Sequence, residues 1–470
     1  MMDYLPKFAP VRLTSKDSGA VILVALSSLF LLYLQRLLST KPTTKQDSKP
    51  SAKDLTINAD REWGDWAPVS FSYPEIPSYT EKLSEIKPIP YRPFRWGQYH
   101  VTMGIRDMPW GDWIEIDRTF PLYFAIRNHR IQSRGENVIR IMPDRPGIVK
   151  SAGPAAVELV HELAAYVTKR YPDAFIATRD SFGVIKSVRI RIHPIDLDLC
   201  LPRPLCEHGQ NTLLREVTHE EAERSMRIAA LITQDDLALM VEGTDGRYYF
   251  QGGAIIIPGS WRIRDKIGMP LEEIHVTGRV PQYQEKLHVG MERFFRRLPV
   301  HKPVIRNNYS IQLIQPEHAR RKGNVPTDIP PRKEDEDLLD PSELAWATTA
   351  NGDEDDFAHG RWHPDGGLTV SPETLQFRTE RQTLRRLPLS GAVVFGIRTY
   401  QMPLIELGKE PGVPARLASA MRSWPEGVAR YKGRDDYGSV MLEYLDRCAN
   451  EQKLAGGEEL EKSAEKGYPY

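Results

Sequence analysis

One stretch of this 470-residue chain leaves little choice about how it pairs. Residues 237–243 (LALMVEG) and 247–257 (RYYFQGGAIII) are apolar, β-branched and aromatic, and Thr244-Asp245-Gly246 stands between them. Two such runs joined by a short Asp-Gly turn form an antiparallel hairpin. A hairpin this apolar has to be covered by other elements. Helical spacing supplies candidates. Pro154 opens a pattern carried by Val157, Val160, Ala164, Val167 and Tyr171. Thr218 and Glu221 form a capping-box pair ahead of Ala222, Met226 and Ala229. Leu287, Met291, Phe294, Phe295 and Leu298 mark a strongly amphipathic helix, and residues 391–397 (GAVVFGI) read as a short buried strand. Strands and helices cluster more than they alternate, so the expected class is α+β, not a doubly wound sheet.

Charge and cysteine content narrow the function. Lys+Arg and Asp+Glu both number 63, so the net charge is zero and no nucleic-acid partner is expected. Three cysteines make no disulfide scaffold and point to a reducing compartment. Residues 19–34 (GAVILVALSSLFLLYL) carry no charge. About 20 apolar residues span a hydrocarbon core, so a single N-terminal transmembrane helix is expected over 18–38, with membrane contact through 19–38. Residues 36–53 hold Arg36, Lys41, Lys45, Lys49 and Lys53 against Asp47, which would place the C-terminal part in the cytosol. The expected organisation is a tail (1–17), the anchor (18–38), a polar linker (39–60), a folded body (61–448) and a charged tail (449–470). Within the body a polar loop insertion runs from about 316 to 374. Between Glu334 and Asp356 it holds ten acidic residues and no basic one, a composition expected to be solvated.

Common catalytic signatures are missing. There is no P-loop, no GxGxxG after a strand and no GxSxG elbow. His161-Glu162 lacks the second histidine of HExxH, because position 165 is alanine. His193, Cys200, Cys206 and His208 lie close in sequence, but their spacing matches no standard zinc site.

What stands out is a set of unusual residues in two blocks. The first holds Gly259-Ser260-Trp261, Lys266-Ile267-Gly268, Ile274-His275, Arg279-Val280-Pro281 and Val304-Ile305-Arg306-Asn307-Asn308-Tyr309. The second is FRTERQTLRRLP (377–388), followed by GAVVFGI and Arg398-Thr399-Tyr400. Pro93-Phe94-Arg95, Met103-Gly104-Ile105 and Trp113-Ile114-Glu115-Ile116-Asp117 precede them. Over roughly residues 90–405 this pattern resembles the family named for the haem-dependent oxidative N-demethylase alpha subunit.

The resemblance implies a PAS-like domain, an antiparallel sheet with flanking helices, carrying haem b through a histidine. It implies oxidative removal of a methyl group from a small amine, with dioxygen as oxidant. Electrons would come from a separate flavin or iron–sulfur reductase, since this chain lacks four-cysteine cluster ligands. His275 becomes the candidate metal ligand, a residue that otherwise reads as a histidine bonded to loop backbone. His288, His301 and His193 are the alternatives. Arg306 is a candidate to polarise dioxygen or hold a propionate, and Glu380 to orient an ammonium group or pass protons; a buried Arg306–Glu380 ion pair is the structural alternative. Trp261 and Arg385 are candidates for cofactor contact. Trp261 is otherwise core, and Arg385 and Arg386 otherwise read as exposed arginines on a helix. Tyr309 and Tyr400 read better as aromatic core than as pocket donors. The functional classes left open are a membrane-anchored demethylase or related monooxygenase, a non-catalytic haem or small-ligand sensor, and a membrane-tethered interaction module with an empty pocket.

Overall fold

The computed structural model describes residues 61–206, 214–314, 346–347, 351–352, 354–355 and 370–456. Its elements begin with β1 (Arg106–Asp107), α1 (Phe120–Arg134), β2 (Ile139–Ile141) and α2 (Gly153–Arg170). A separate antiparallel sheet follows, made of β3 (Phe175–Arg179), β4 (Ile185–Ile192) and β5 (Ile195–Cys200). Next come α3 (His219–Leu231), the hairpin β6 (Asp236–Glu242) and β7 (Tyr248–Ala254), and the short helices α4 (Ile263–Lys266) and α5 (Leu271–Thr277). A π turn at Tyr283–Leu287 leads into α6 (His288–Arg297). Strands β8 (Val304–Leu313), β9 (Leu375–Arg386) and β10 (Val393–Pro403) are followed by α7 (Leu404–Leu407), α8 (Val413–Arg422), α9 (Glu426–Tyr431) and α10 (Arg434–Leu454).

The main sheet has seven antiparallel strands in the order β1-β8-β9-β10-β6-β7-β2. Local signals account for several elements. The turn before β7 uses Gly246 at φ +80°, where a β-carbon is disfavoured. A β-carbon on Gly252 would lie 2.6 Å from Ile141 and 2.9 Å from Ala152, so close packing of β2 and the start of α2 requires glycine there. Pro154 begins α2. The capping box of α3 is complete: the Glu221 amide donates to Thr218 Oγ1 and the Thr218 amide to a Glu221 carboxylate oxygen, both at 3.2 Å. Such a cap contributes about 1 kcal/mol.

Three apolar clusters hold the sheet. Helices α1, α2 and α3 pack through Phe120, Leu159, Leu163 and Met226 against Leu237, Leu239 and Val394. Helices α5 and α6 with the π turn pack through Leu271, Tyr283, Met291 and Phe295 against Ala238, Met240, Leu384 and Val393. The C-terminal helices pack through Leu417, Met421, Trp424 and Met441 against Tyr309, Leu313 and Phe377.

The α+β class and the antiparallel sheet are as expected, but the fuller fold expectation needs correction. Among the described residues no helix is long and apolar enough to cross a membrane, so none of the described helices is a transmembrane one. The residues expected to form it, 18–38, lie outside the described ones, as does the linker at 39–60. The described topology, a seven-stranded sheet beside a three-stranded one, does not show the PAS-like arrangement either.

Two local expectations change as well. Residues 377–386 form a strand, not a helix, and pair along their whole length with β10 and up to Leu384 with β8. In the acidic stretch, most of which lies outside the described residues, Glu354 is buried and accepts from Arg130 at 2.8 Å, and Asp355 pairs with Arg134 at 2.9 Å. These two carboxylates are ion-pair partners, because α1 presents arginines that nothing in the local sequence announces.

Candidate functional site

The strand at 375–386 sorts its charged residues by parity. Alternate side chains of a strand point to opposite faces, so Arg378, Glu380, Gln382 and Arg386 share one face and Arg381 and Arg385 the other. Register extends each face across the sheet. Glu380 lies opposite Asn308 on β8 and Thr399 on β10; Gln382 lies opposite Arg306 and Ile397; Leu384 lies opposite Val304 and Phe395. Arg306, Asn308, Glu380, Ile397 and Phe395 keep accessible surface on this face, Arg306 and Asn308 where β8 has run past its pairing with β1. This partly open patch is termed the recess.

Arg306 is the unusual group there. Its Nε is buried without a hydrogen-bond partner, and no hydrogen bond to its side chain occurs among the described residues. Burial weakens its charged form, and Glu380 is the first of the groups that support it. Glu380 itself accepts from Gln382 Nε2 at 3.0 Å and lies 3.6 Å from Arg378 Nε. Gln382 Oε1 is also buried and unpartnered. Orphaned polar atoms of both signs on one partly open face mark a surface built to contact something else.

His275 belongs to α5, on the same side of the sheet. Its Nδ1 lies 2.7 Å from the carbonyl of Leu271, one turn back, and its ring stacks on Tyr283 at 4.8 Å and 6°. Burial lowers its pKa, opposed by that carbonyl, and Arg306 and Lys266 lower it further. The imidazole is thus neutral at pH 7. Nδ1–H donates to the carbonyl and Nε2 keeps its lone pair. Lys266, itself buried, donates to Ile274 O at 3.2 Å and to Thr277 Oγ1 at 2.6 Å, which ties down the end of the helix that carries His275. Trp261 is half-buried, edge-on to Phe250 at 6.5 Å, and packs in the same apolar cluster as Ile274 and Phe395.

The other histidines are placed differently. His288 Nε2 lies 3.6 Å from a carboxylate oxygen of Glu272. His301 is partly buried with an unpartnered Nδ1, and His193 is exposed at the β4–β5 turn. Arg385 does not join the recess. It is fully buried on the opposite face, stacked on Trp113 at 4.2 Å and Trp110 at 5.0 Å, and paired with Glu162 at 3.4 Å. Five residues separate it from Glu380, and an odd separation along a strand reverses the face. Arg386 shares the parity of Glu380 but is spent holding carbonyls of Leu298, Gly391 and Phe295. Tyr309 accepts from Trp424 Nε1 at 3.2 Å, and Tyr400 donates to Glu115; both lie on the far face.

Three residues near the recess were not legible in sequence. Tyr99, Tyr431 and Lys432 all interact electrostatically with Arg306. Tyr431, the last residue of α9, is 49% exposed. Lys432 is pushed down to about 8 by burial, against the pull of Glu380. All three lie at least 30 residues from both blocks or in ordinary polar context, so no spacing signal points to them.

Directly behind the recess, the far face of the sheet holds a second polar cluster. Arg381 pairs with Glu115 at 2.9 Å, and Arg398 with Asp117 at 2.9 Å. Asp235 lies between these arginines, fully buried, with neither carboxylate oxygen hydrogen-bonded. Burial raises its pKa to about 6, opposed by Arg381 and Arg398. A carboxyl whose folded pKa exceeds its ordinary value of 3.8 contributes stability that is complete below that value and is lost as pH rises through about 6. Unfolding in urea is therefore expected to show a fall of up to roughly 3 kcal/mol across this window from this group. Asp235→Asn should flatten it; an unchanged slope in the variant would assign the pH dependence elsewhere.

With this geometry in place, the comparison with known proteins is decisive. The family model for the haem-dependent oxidative N-demethylase, alpha subunit-like proteins matches residues 104–442, well over half of the chain. The chain belongs to that family. The match carries haem dependence and oxidative demethylase-like chemistry as the family's description. It begins after the Pro93-Phe94-Arg95 triplet and runs beyond β10 into α10, so it includes α9 and the residues Tyr431 and Lys432.

Proposed function

We propose that this chain is a haem-binding oxidoreductase that removes a methyl group from an amine with dioxygen, using electrons from a separate flavin or iron–sulfur protein. The observation that carries the reading is His275: a neutral imidazole, its tautomer set by the Leu271 carbonyl, on the same side of the sheet as Arg306, whose buried Nε has no hydrogen-bond partner among the described residues. A histidine that would hold haem iron needs a fixed, neutral ring whose second nitrogen is hydrogen-bonded to a carbonyl or carboxylate. Phe395, Ile397 and the half-buried Trp261 supply apolar surface for a porphyrin plane, and Arg306 supplies a cation. The residues present fit the group, with haem b as the simplest form.

When bound, haem would supply the activation of dioxygen. This chain's own residues would do the rest. Arg306 would hold a negatively polarised oxygen, because its Nε has no hydrogen-bond partner among the described residues. Glu380 would accept a hydrogen bond from a protonated amine and take its proton, since its carboxylate is partly accessible beside Gln382. Overall, one oxygen atom enters a methyl C–H bond, the C–N bond then breaks to give the demethylated amine and formaldehyde, and the other oxygen atom leaves as water. Two electrons and two protons balance the sum, with the electrons drawn from the partner.

The test is direct. Full-length protein given haem should show a Soret band and, with a chemical reductant, oxygen uptake and formaldehyde release that depend on a secondary or tertiary methylamine. A Soret band without amine-dependent uptake would favour a haem sensor, and no Soret band would reject the haem reading altogether.

A further inference from the structure

Resting on that reading, we infer that Asn351 and Glu354 are positioning residues of the recess. They hold the chain from Gly259 to Arg264, which carries Trp261, in place against the sheet. Both come from the connection between β8 and β9. Those strands pair antiparallel up to Leu313 opposite Leu375, so a tight turn would join them. A connection running instead from Leu313 to Leu375 is long, and connections of that length are usually either functional or linkers. The described part of this one is docked. Trp346 is buried and donates its indole N–H to Gly352 O at 2.9 Å, and the Asn351 amide donates to Ala347 O at 3.0 Å. The outward bonds of this piece converge on one neighbouring segment. The Ala347 amide and Asn351 Nδ2 both donate to the carbonyl of Gly259, at 3.3 and 3.1 Å. Arg262 Nη1 donates to Glu354 O at 2.6 Å, and Arg264 Nη2 to Asp355 O at 3.0 Å. Arg130 Nη2 donates to both carboxylate oxygens of the buried Glu354, at 2.8 and 3.0 Å, while its Nε donates to Ile256 O at 2.7 Å. One guanidinium thus ties Glu354 to the chain just ahead of Gly259.

The turn at 258–261 depends on this docking. Before it, the Ile256 and Ile257 amides are held by Asp236. After it, the Arg262 amide is held by Asp265. Among the described residues, the hydrogen bonds made by 258–261 are the two at Gly259 O, both from the β8–β9 connection. On its inner side the turn meets the recess face twice. A β-carbon on Gly259 would lie 2.9 Å from Arg378 Nη2, so the backbone there rests on the Arg378 guanidinium, whose Nε is 3.6 Å from Glu380. Two residues on, Trp261 packs in the apolar cluster with Ile274 and Phe395. Trp261 packing and these two hydrogen bonds oppose the conformational entropy of the ordered turn. Removing the bonds shifts the turn toward open states, in which Trp261 and the cover over Arg378 leave their places. Asn351 acts on the turn directly. Glu354 acts through Arg130 and Arg262, by fixing the piece that presents Asn351.

The test follows hydrogen exchange by mass spectrometry in the full-length, haem-free chain. Fragments covering 262–267 are the probe, because the amides of Arg262, Asp265 and Ile267 are hydrogen-bonded and follow the turn directly. Fragments of β9 and β10 are the reference. Asn351→Ala and Glu354→Ala should speed exchange at 262–267 about tenfold or more and leave β9 and β10 unchanged. Asp355→Ala, which removes only a largely exposed partner of Arg134, should match wild type. Iron protoporphyrin IX, titrated by absorbance, should bind Asn351→Ala and Glu354→Ala roughly tenfold more weakly than wild type. Its binding should also slow exchange at 262–267 in both variants, because a ligand that needs the ordered turn stabilises it. Residues that only support the fold would speed exchange in β9 and β10 as well. Unchanged exchange at 262–267 in both variants overturns the inference, as does faster exchange spread evenly over the sheet. Local loosening with undiminished porphyrin affinity overturns the role in the recess. If wild type binds no porphyrin, the haem reading falls, and the exchange comparison alone decides whether these residues hold the turn. Should Glu354→Ala fail to fold for want of a partner for Arg130, Asn351→Ala, which leaves that ion pair intact, decides.

Discussion

His275→Ala protein is expected to lose its Soret band while keeping its fold. α5 is a short helix with exposed residues at Glu273, Val276 and Thr277, and His275 itself is only half-buried. Truncating its ring costs one stack on Tyr283 and one hydrogen bond to Leu271, about 1–2 kcal/mol together. That is small against a domain's stability, so far-UV circular dichroism should match wild type. Loss of an axial ligand is far larger for the cofactor: haem affinity should fall by on the order of 100-fold or more. His288→Ala, whose ring is turned toward Glu272, should keep the band and serves as control. A Soret band retained in His275→Ala and lost in His288→Ala would move the ligand to the neighbouring helix and take the Arg306 argument with it.

The second large effect lies on the opposite face of the sheet, away from any ligand. Glu115 accepts from the hydroxyls of Tyr91 and Tyr400 and pairs with the fully buried Arg381. Glu115→Ala strips all three partners at once and leaves the Arg381 guanidinium in the core without its direct ion-pair partner, with Asp235, which makes no hydrogen bond, as the nearby carboxylate. Removing one member of a buried pair typically destabilises by about 3–5 kcal/mol, and the two orphaned hydroxyls add to that. Urea unfolding should show a midpoint lowered accordingly. Glu115→Gln, which keeps an acceptor but not the charge, should fall between. A change below about 1 kcal/mol in the alanine variant would mean that water reaches Arg381 and that the cluster is not the sealed unit its burial indicates.

These two sites show why a run of charges in sequence is a poor guide to a site. FRTERQTLRRLP contains both the recess carboxylate and the arginines of the buried network. Read as a helix, the run would spread its charges around an exposed surface. As a strand between β8 and β10 it divides them by parity: Glu380 to the recess, Arg381 and Arg385 to the core behind it. The choice of strand over helix is not in the string. It comes from the neighbours, because a central strand gains two full ladders of backbone hydrogen bonds that no isolated run of arginines and threonines encodes.

The same contrast separates the rest of the molecule. By itself the sequence determined the β6–β7 hairpin, the helix from Gly153, the Thr218 cap, the α+β class and the family, because turn residues, caps and long motifs act through neighbours a few positions away. Only the tertiary structure decided that Arg385 lies apart from Glu380, that Glu354 is a buried partner of Arg130, and that Tyr99, Tyr431 and Lys432 approach Arg306. Those facts depend on strand register and on where the C-terminal helices land. Contacts between residues tens to hundreds of positions apart are set by how the whole core packs, and no short-range pattern of residues carries that information.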